Sequence, residues 1–202
     1  MLAKDFRQRA WTALSGKWGS AAVIALVYTV LTAVVSAIPG VGQVTSLLIA
    51  GPLTVGWAII SLKVIRGEKF ELVHLFDGFK NFVPAFLLGL VNSIFIALWS
   101  LLFVIPGIVK AYSYSMSYYI LAEHPEMTQS EARKESMRIM QGNKWRLFCL
   151  EFSFIGWMIL VLLTFGILSF WVVPYMEASV AAFYEEIKPK TIVEEAAPTV
   201  EA

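Results

Sequence analysis

Few side chains in this 202-residue chain could do chemistry, and those that stand out sit inside apolar stretches. Glu177 lies in Pro174-Tyr175-Met176-Glu177-Ala178-Ser179, and Lys110 follows Pro106-Gly107. Residues 112–119 read Tyr-Ser-Tyr-Ser-Met-Ser-Tyr-Tyr, and Asn92 and Glu151 interrupt other apolar runs. A charge at membrane depth costs about 2.5 kcal/mol or more, so each one asks for a purpose. Lys110, Tyr112, Tyr114, Glu177 and Asn92 therefore make up a candidate intramembrane polar site. Lys110 and Glu177 fall at similar depths and are expected to lie close together and pair; the alternative is that both snorkel outward to water. The hydroxyls of 112–119 have two uses. They can cross-link helices while the small serines allow close approach, or they can line a polar cavity for a lipid headgroup or small solute. Asn92 and Glu151 present the same choice.

Catalytic chemistry finds no foothold. His74 and His124 lie far apart in sequence, and neither belongs to an H-E-x-x-H pattern. No Walker A loop, G-x-G-x-x-G fingerprint or G-x-S-x-G elbow occurs. Asp77 has no companion carboxylate nearby. No catalytic, cofactor-binding or metal-binding residue is assigned, and the chain is expected not to be an enzyme. Cys149, the only cysteine, lies in an apolar helix and reads as a small buried hydrophobe.

The elements that position these residues are membrane spans. The chain is 58% hydrophobic and 15% charged, against roughly 45–50% and about 25% in soluble domains. Mean hydropathy is +0.69. Taking about twenty residues per crossing, spans fall near 19–38, 44–65, 83–105, 107–122, 147–168 and 171–186. Pro39-Gly40-Val41-Gly42, Pro106-Gly107 and the Gly166–Pro174 neighbourhood supply tight turns between them. Of the sixteen Lys and Arg residues, all but Lys110 fall on the other connections and the termini. That asymmetry places the basic connections and both termini in the cytoplasm, which six spans satisfy and five or seven do not. The run from Gly19 to Ile38 is too long for a signal-peptide core of about 7–15 residues, so the first helix is expected to stay. Basic residues beside membrane ends meet anionic headgroups sooner than nucleic acid. Residues 1–187 read as a single membrane domain, and 188–202, with two prolines and three glutamates, as a disordered cytoplasmic tail.

Three cytoplasmic segments carry apolar helix faces. Leu2, Phe6, Ala10, Ala13 and Leu14 share one; Leu72, Leu75, Phe76 and Phe79 share a second at i, i+3, i+4 and i+7. Thr128-Gln129-Ser130-Glu131 matches a capping box opening a third helix through about Gln141, with Ala132, Ser136, Ile139 and Met140 on its apolar side. Such helices lie along a membrane surface or pack beneath the bundle. Each ends in glycine, lysine and an aromatic: Gly16-Lys17-Trp18, Gly78-Phe79-Lys80-Asn81-Phe82 and Gly142-Asn143-Lys144-Trp145. The unit of surface helix, span, turn and span thus recurs three times. Glycine ends the surface helix, lysine meets phosphate, and the aromatic anchors at the interface. Lys17, Trp18, Lys80, Phe82, Lys144 and Trp145 are the candidate lipid-interface anchors. The expected fold is an all-α polytopic membrane helix bundle with six transmembrane helices, amphipathic interfacial helices and a three-fold repeat.

Leu75-Phe76-Asp77-Gly78-Phe79, LWSLLFVIPGIVKAYSYSMSYYILAEHPEM, MQGNKWRLFCLEFSFIGW and WVVPYMEASVAAFYEEI together resemble a bacterial membrane family known as domain of unknown function 975. The likeness covers roughly residues 1–187. It implies a multi-pass protein of the cell membrane with no assigned activity and no site residues to carry over. A fainter likeness is to membrane domains fused to some glycerophosphodiester phosphodiesterases, whose soluble catalytic part this chain lacks.

Two functions compete, the first being the preferred reading and the second its alternative; a third, a lipid-modifying enzyme, lacks the convergent acid, base or metal cluster it needs. The first is a non-enzymatic membrane-organising or accessory protein binding lipid, with anionic headgroups on the cytoplasmic side, or a protein partner. The second is a small transporter or channel with a polar path near Lys110, Tyr112–Tyr119 and Glu177.

Overall fold

Four helical segments are long and apolar enough to cross a membrane: Trp18–Ser36, Thr45–Ile65, Phe82–Leu101 and Lys144–Leu163. They belong to a computed structural model that describes residues 2–38, 42–102 and 104–189. Helix is the only regular structure among the described residues. The order is α1 (Ala3–Leu14), α2 (Trp18–Ser36), α3 (Gly42–Ile65), a 3-10 helix (Leu72–Phe79), α4 (Phe82–Leu102), α5 (Val104–Tyr114), α6 (Ser117–Glu123), α7 (Gln129–Ile139), α8 (Lys144–Phe152), α9 (Ile155–Leu163) and α10 (Ser169–Ile187). The turn expected at residues 39–41 and the tail at 190–202 lie outside the described residues.

The surface of the spans shows what solvent surrounds them. Val23, Leu26, Val30 and Val34 line the outside of α2, and Met158, Ile159, Leu162 and Leu163 line that of α9, all exposed. Contiguous apolar faces of this extent are rare on water-exposed monomers and suit hydrocarbon.

Two antiparallel hairpins form the centre. In the first, Tyr28 of α2 meets Trp57 of α3 at a ring separation of 5.4 Å, and Lys17 donates to the Gly67 and Glu68 carbonyls at 3.3 and 3.1 Å. In the second, α4 pairs with α5 and α6: Asn92 donates to Ser117 at 3.0 Å and Phe95 meets Tyr114 at 6.5 Å. The expected Pro106-Gly107 turn is instead helix, within the first turn of α5, where proline loses little because early helical amides have no partner anyway. Gly107 packs on Ser100, which leaves no room for a side chain there. Pro174 likewise lies inside α10; the turn before it is made by Phe165 and Gly166, both at positive φ. The predicted spans 107–122 and 147–168 are each broken, at Ser115-Met116 and Ser153-Phe154.

Glycines let the backbones of α3, α4 and the 3-10 helix touch. A Cβ at Gly51 would overlap the Ala85 carbonyl, one at Gly56 the Leu75 carbonyl, and one at Gly78 the Pro52 carbonyl. Gly78 therefore serves close approach, whereas Gly16 and Gly142 end their helices at φ +78° and +76°. The repeat's second copy departs from the other two for that reason. Its surface helix is also 3-10, so its buried side follows a three-residue period through Leu75 and Gly78 and leaves Phe76 exposed.

The other surface helices are built into the protein. Phe6, Ala10 and Leu14 of α1 are buried, Leu2 is exposed, and Phe6 packs edge-on to Phe183 of α10 at 5.4 Å. The α7 capping box forms: Thr128 N–H donates to Glu131 at 2.8 Å and the Glu131 amide donates to the Thr128 hydroxyl at 3.3 Å. Ala132, Ser136, Ile139 and Met140 are all buried.

The sixth predicted span, α10, does not run parallel to the hairpins. Tyr175 near its start meets Trp18, the first residue of α2, at 6.1 Å. At its far end Glu185 accepts from Arg66 at 2.7 and 2.9 Å, and Lys188 bonds Glu123 at 2.9 Å and Glu185 at 3.0 Å. Arg66 also pairs with Glu123. Lys17 ties the start of α2 to the end of α3, so both ends of the stretch 175–188 stand at one end of the first hairpin. This part of α10 crosses the bundle end obliquely. Lys188, expected in the disordered tail, is part of this ion cluster.

Gly56→Ala should lower the thermal midpoint in detergent, since overpacking a tight contact costs about 1–3 kcal/mol. Gly19→Ala, with open space around it, should leave the midpoint unchanged or raise it; equal effects would refute the packing account. The Glu131 carboxyl is held below its ordinary value of 4.5, first by the Thr128 backbone N–H and then by its hydroxyl. A lowered folded-state value gives stability that is full above the unfolded value and lost as pH falls through the folded one. The melting difference between the parent and Glu131→Ala should accordingly be present at neutral pH and vanish on the acid side of 4.5.

Candidate functional site

Where α2, α3, the α5–α6 break, α8 and α10 meet, they border a half-open cavity of about 340 Å³. Its walls include Tyr28, Thr54, Trp57, Ser115, Tyr118 and Tyr119, and its two acids are Glu151 and Glu177. Tyr28 is ten residues into Trp18–Ser36 and Thr54 nine into Thr45–Ile65, so the cavity reaches from the α10 end of the bundle to the middle of two spans.

Local structure explains how a polar cavity arises there. Proline and small residues keep α3 close to α4 and the 3-10 helix, which leaves the Thr54–Trp57–Ala58 face turned toward α10. The α5–α6 break at Ser115-Met116 turns Ser115, Tyr118 and Tyr119 inward; the Ser115 hydroxyl donates to the Tyr112 carbonyl at 2.9 Å, occupying an acceptor that the break leaves free. The oblique course of α10 carries Glu177 to the floor.

Each acid takes one tyrosine. Tyr119 donates to Glu177 Oε2 at 3.0 Å, and Tyr112 donates to Glu151 Oε2 at 2.5 Å. The second oxygen of each carboxyl has no hydrogen bond within the protein among the described residues. No Lys, Arg or His stands among the described lining residues. Nor do the described residues group three or more His, Cys, Asp or Glu in a way that could hold a metal ion.

The residues singled out from sequence separate into three places. Glu177 lines the cavity, and Tyr112 reaches it through Glu151. Lys110 does not pair with Glu177: its ammonium lies over the Trp99 ring at 5.3 Å, on α4, because α5 packs on α4 and turns Lys110 toward that helix. Tyr114 is buried beside Phe95, and the Arg133 guanidinium lies 6.0 Å from its ring. The Asn92 amide joins α4 to α6, while its carbonyl oxygen is buried without a partner.

Of the anchors, Lys17 is used on backbone carbonyls and Lys80 on Asp77 at 2.8 Å, so neither is simply held out for phosphate. Trp18 joins a ring cluster with Trp11, at 5.0 Å, and Tyr175. Phe82 stacks on Phe86 at 5.8 Å. Trp145 is exposed and stacks on Phe148 at 5.1 Å, and Lys144 beside it forms no ion pair among the described residues. Sequence reasoning missed Tyr28, Thr54 and Trp57: lone aromatic or hydroxyl residues in an apolar helix give no signal until another helix closes over them.

A family model described as "Protein of unknown function (DUF975)" matches residues 1–113 and 101–191. No curated protein and no solved structure matches the chain.

Charged hydrogen bonds contribute about 1.5–3 kcal/mol, so the Tyr119–Glu177 contact should be visible in a double-mutant cycle. Tyr119→Phe and Glu177→Gln should couple by 1 kcal/mol or more in mixed-micelle unfolding, whereas Lys110→Gln and Glu177→Gln should add to within about 0.5 kcal/mol. The reverse pattern would restore Lys110 as the partner.

Proposed function

As the chain belongs to the DUF975 family, whose description assigns no activity, we propose its function from geometry: a non-enzymatic membrane protein that binds a small polar solute inside its bundle, in the manner of a small transporter. One observation carries this reading, a cavity reaching the middle of two spans in which two acids and several hydroxyls share a mostly apolar wall. Polar side chains at that depth are costly to keep, and packing alone does not call for empty space between them. A volume of about 340 Å³ falls within the usual range for small-molecule sites, about 300–1,000 Å³.

The reading includes a placement. The basic end of the bundle, with Arg66, Lys188 and Arg146, faces the cytoplasm of a bacterial cell by charge asymmetry. Phe6 contacts Phe183, so the described chain ends share that side. The six-pass topology is kept in modified form: α2, α3, α4 and α5–α6 cross, α8–α9 enters, and α10 returns obliquely.

The accessory reading draws on a different observation, the exposed apolar face of α8 and α9. Trp145, Phe148 and Phe152 are exposed and stack in series along α8, the arrangement of an interfacial aromatic belt. This surface fits lipid contact or a protein partner beside the cavity's function.

A cysteine scan tests the cavity. In a Cys149→Ser background, Ser115→Cys should react in membranes with a small water-soluble thiol reagent. Val30→Cys, exposed on the outer face of α2, should stay protected by lipid. Protection of both positions would refute the solute-binding reading and leave the accessory one.

A further inference from the structure

The cavity's lining goes further than its volume. Four of its lining residues are aromatic, Tyr28, Trp57, Tyr118 and Tyr119, brought from α2, α3 and α6; Tyr28 packs on Trp57 and one side of Tyr119 is stacked on Tyr184. Glu151 and Glu177 add two acids from α8 and α10. Each carboxyl receives a single tyrosine hydroxyl within the protein, at 2.5 and 3.0 Å, and no basic side chain stands among the described lining residues to balance either. An anionic solute would meet two acids and no cation. A bare divalent ion also fits poorly: hard cations such as calcium take about 6–8 oxygen ligands, and much of this wall is aromatic carbon. Rings instead attract a cation through their negative faces, and aromatic cages with a nearby carboxylate are the chemistry of ammonium recognition.

We propose that this cavity binds a small organic ammonium ion, with Glu151 and Glu177 supplying the counter-charge and Tyr28, Trp57, Tyr118 and Tyr119 forming the cage. The inference rests on the reading that the cavity takes a solute at all. It names the chemical class of that solute. Glu177 and Glu151 act by binding; no bond is made or broken. Tyr119 and Tyr112 hold each carboxyl in place through one oxygen and leave the other for the ligand. The serine and threonine hydroxyls of Ser115 and Thr54 add sites for the N–H groups of an amine.

The full-length protein with Ser115→Cys and Cys149→Ser provides the test. Two thiol reagents of similar size are compared, trimethylammonioethyl methanethiosulfonate and sulfonatoethyl methanethiosulfonate, each rate divided by its rate with free cysteine in solution. Clefts lined by one sign of charge concentrate counter-ions by about tenfold or more, so the normalised preference for the cation should be about tenfold. It should fall to near parity when Glu151→Gln and Glu177→Gln are added. Tetramethylammonium chloride should slow the cationic reagent more than sodium chloride of equal concentration.

Labelling of Cys at 115 by both reagents at equal normalised rates, or no protection by tetramethylammonium, would overturn the ammonium assignment while leaving a solute cavity. Labelling by neither would overturn the cavity reading itself. Should the double glutamine variant fail to fold, tetramethylammonium protection in the carboxylate-bearing parent decides the matter alone.

Discussion

Backbone-to-backbone contact between α3, α4 and the 3-10 helix is the constraint on which the rest of this structure depends. Lipid tails are as apolar as leucine, so helices in a bilayer gain little from hiding apolar surface against one another. They associate through close van der Waals approach and internal hydrogen bonds. Gly51, Gly56 and Gly78 face the Ala85, Leu75 and Pro52 carbonyls with no space for a Cβ. With α3 fixed in this way, its opposite face, through Thr54 and Trp57, is left for α2 and α10. The cavity lies on that face.

The second determinant is the ion cluster at the bundle end. Arg66 joins Glu123 and Glu185, and Lys188 joins the same two acids. Tyr184 adds a hydrogen bond to Glu123 at 2.6 Å. These contacts bind the ends of α3, α6 and α10 into one knot. At the other side of α10, Tyr175 is ringed by Trp11, Trp18, Phe154 and Trp157. Held at both places, α10 lies across the bundle and presents Glu177 inward. A straight, lipid-facing α10 would have no reason to bury Ala178, Ser179, Ala181, Ala182 and Phe183 together.

Charge placement has the same economy. Several basic residues that were expected to reach headgroups have partners within the protein: Lys17 on two carbonyls, Arg146 on Glu186 and over the Phe183 ring, and Lys80, though largely exposed, on Asp77. Internal pairing does not conflict with a positive-inside orientation, because that rule concerns where a loop is left during insertion rather than what its side chains later touch.

Much of the fold was legible beforehand. Hydropathy marked the apolar rods, the Thr128–Glu131 box marked the start of α7, and the glycines at 16 and 142 marked two helix ends, because each is a local property of a few consecutive residues. The turn at Pro106 was misplaced since proline near a helix start is tolerated within it, whereas the Gly166–Pro174 neighbourhood does hold a turn, at its Gly166 end. The 3-10 period of Leu72–Phe79 was hidden because apolar residues at i, i+3 and i+4 suit either helix. The candidate site was legible only in part: Glu177 and the tyrosine-serine stretch stood out as polar residues in apolar runs, but Lys110 faced the other way.

Composition, charge asymmetry and short-range spacing thus determined by themselves that this is an all-α chain with helices long and apolar enough to span a membrane and shorter amphipathic helices between them. Only the tertiary structure decided which polar residues meet. Tyr119 rather than Lys110 reaches Glu177, and Tyr28, Trp57 and Glu151 join them, because those neighbours come from helices remote in sequence. Their meeting depends on how α10 is held, by rings around Tyr175 and an ion cluster at Glu185 and Lys188 that no single segment contains.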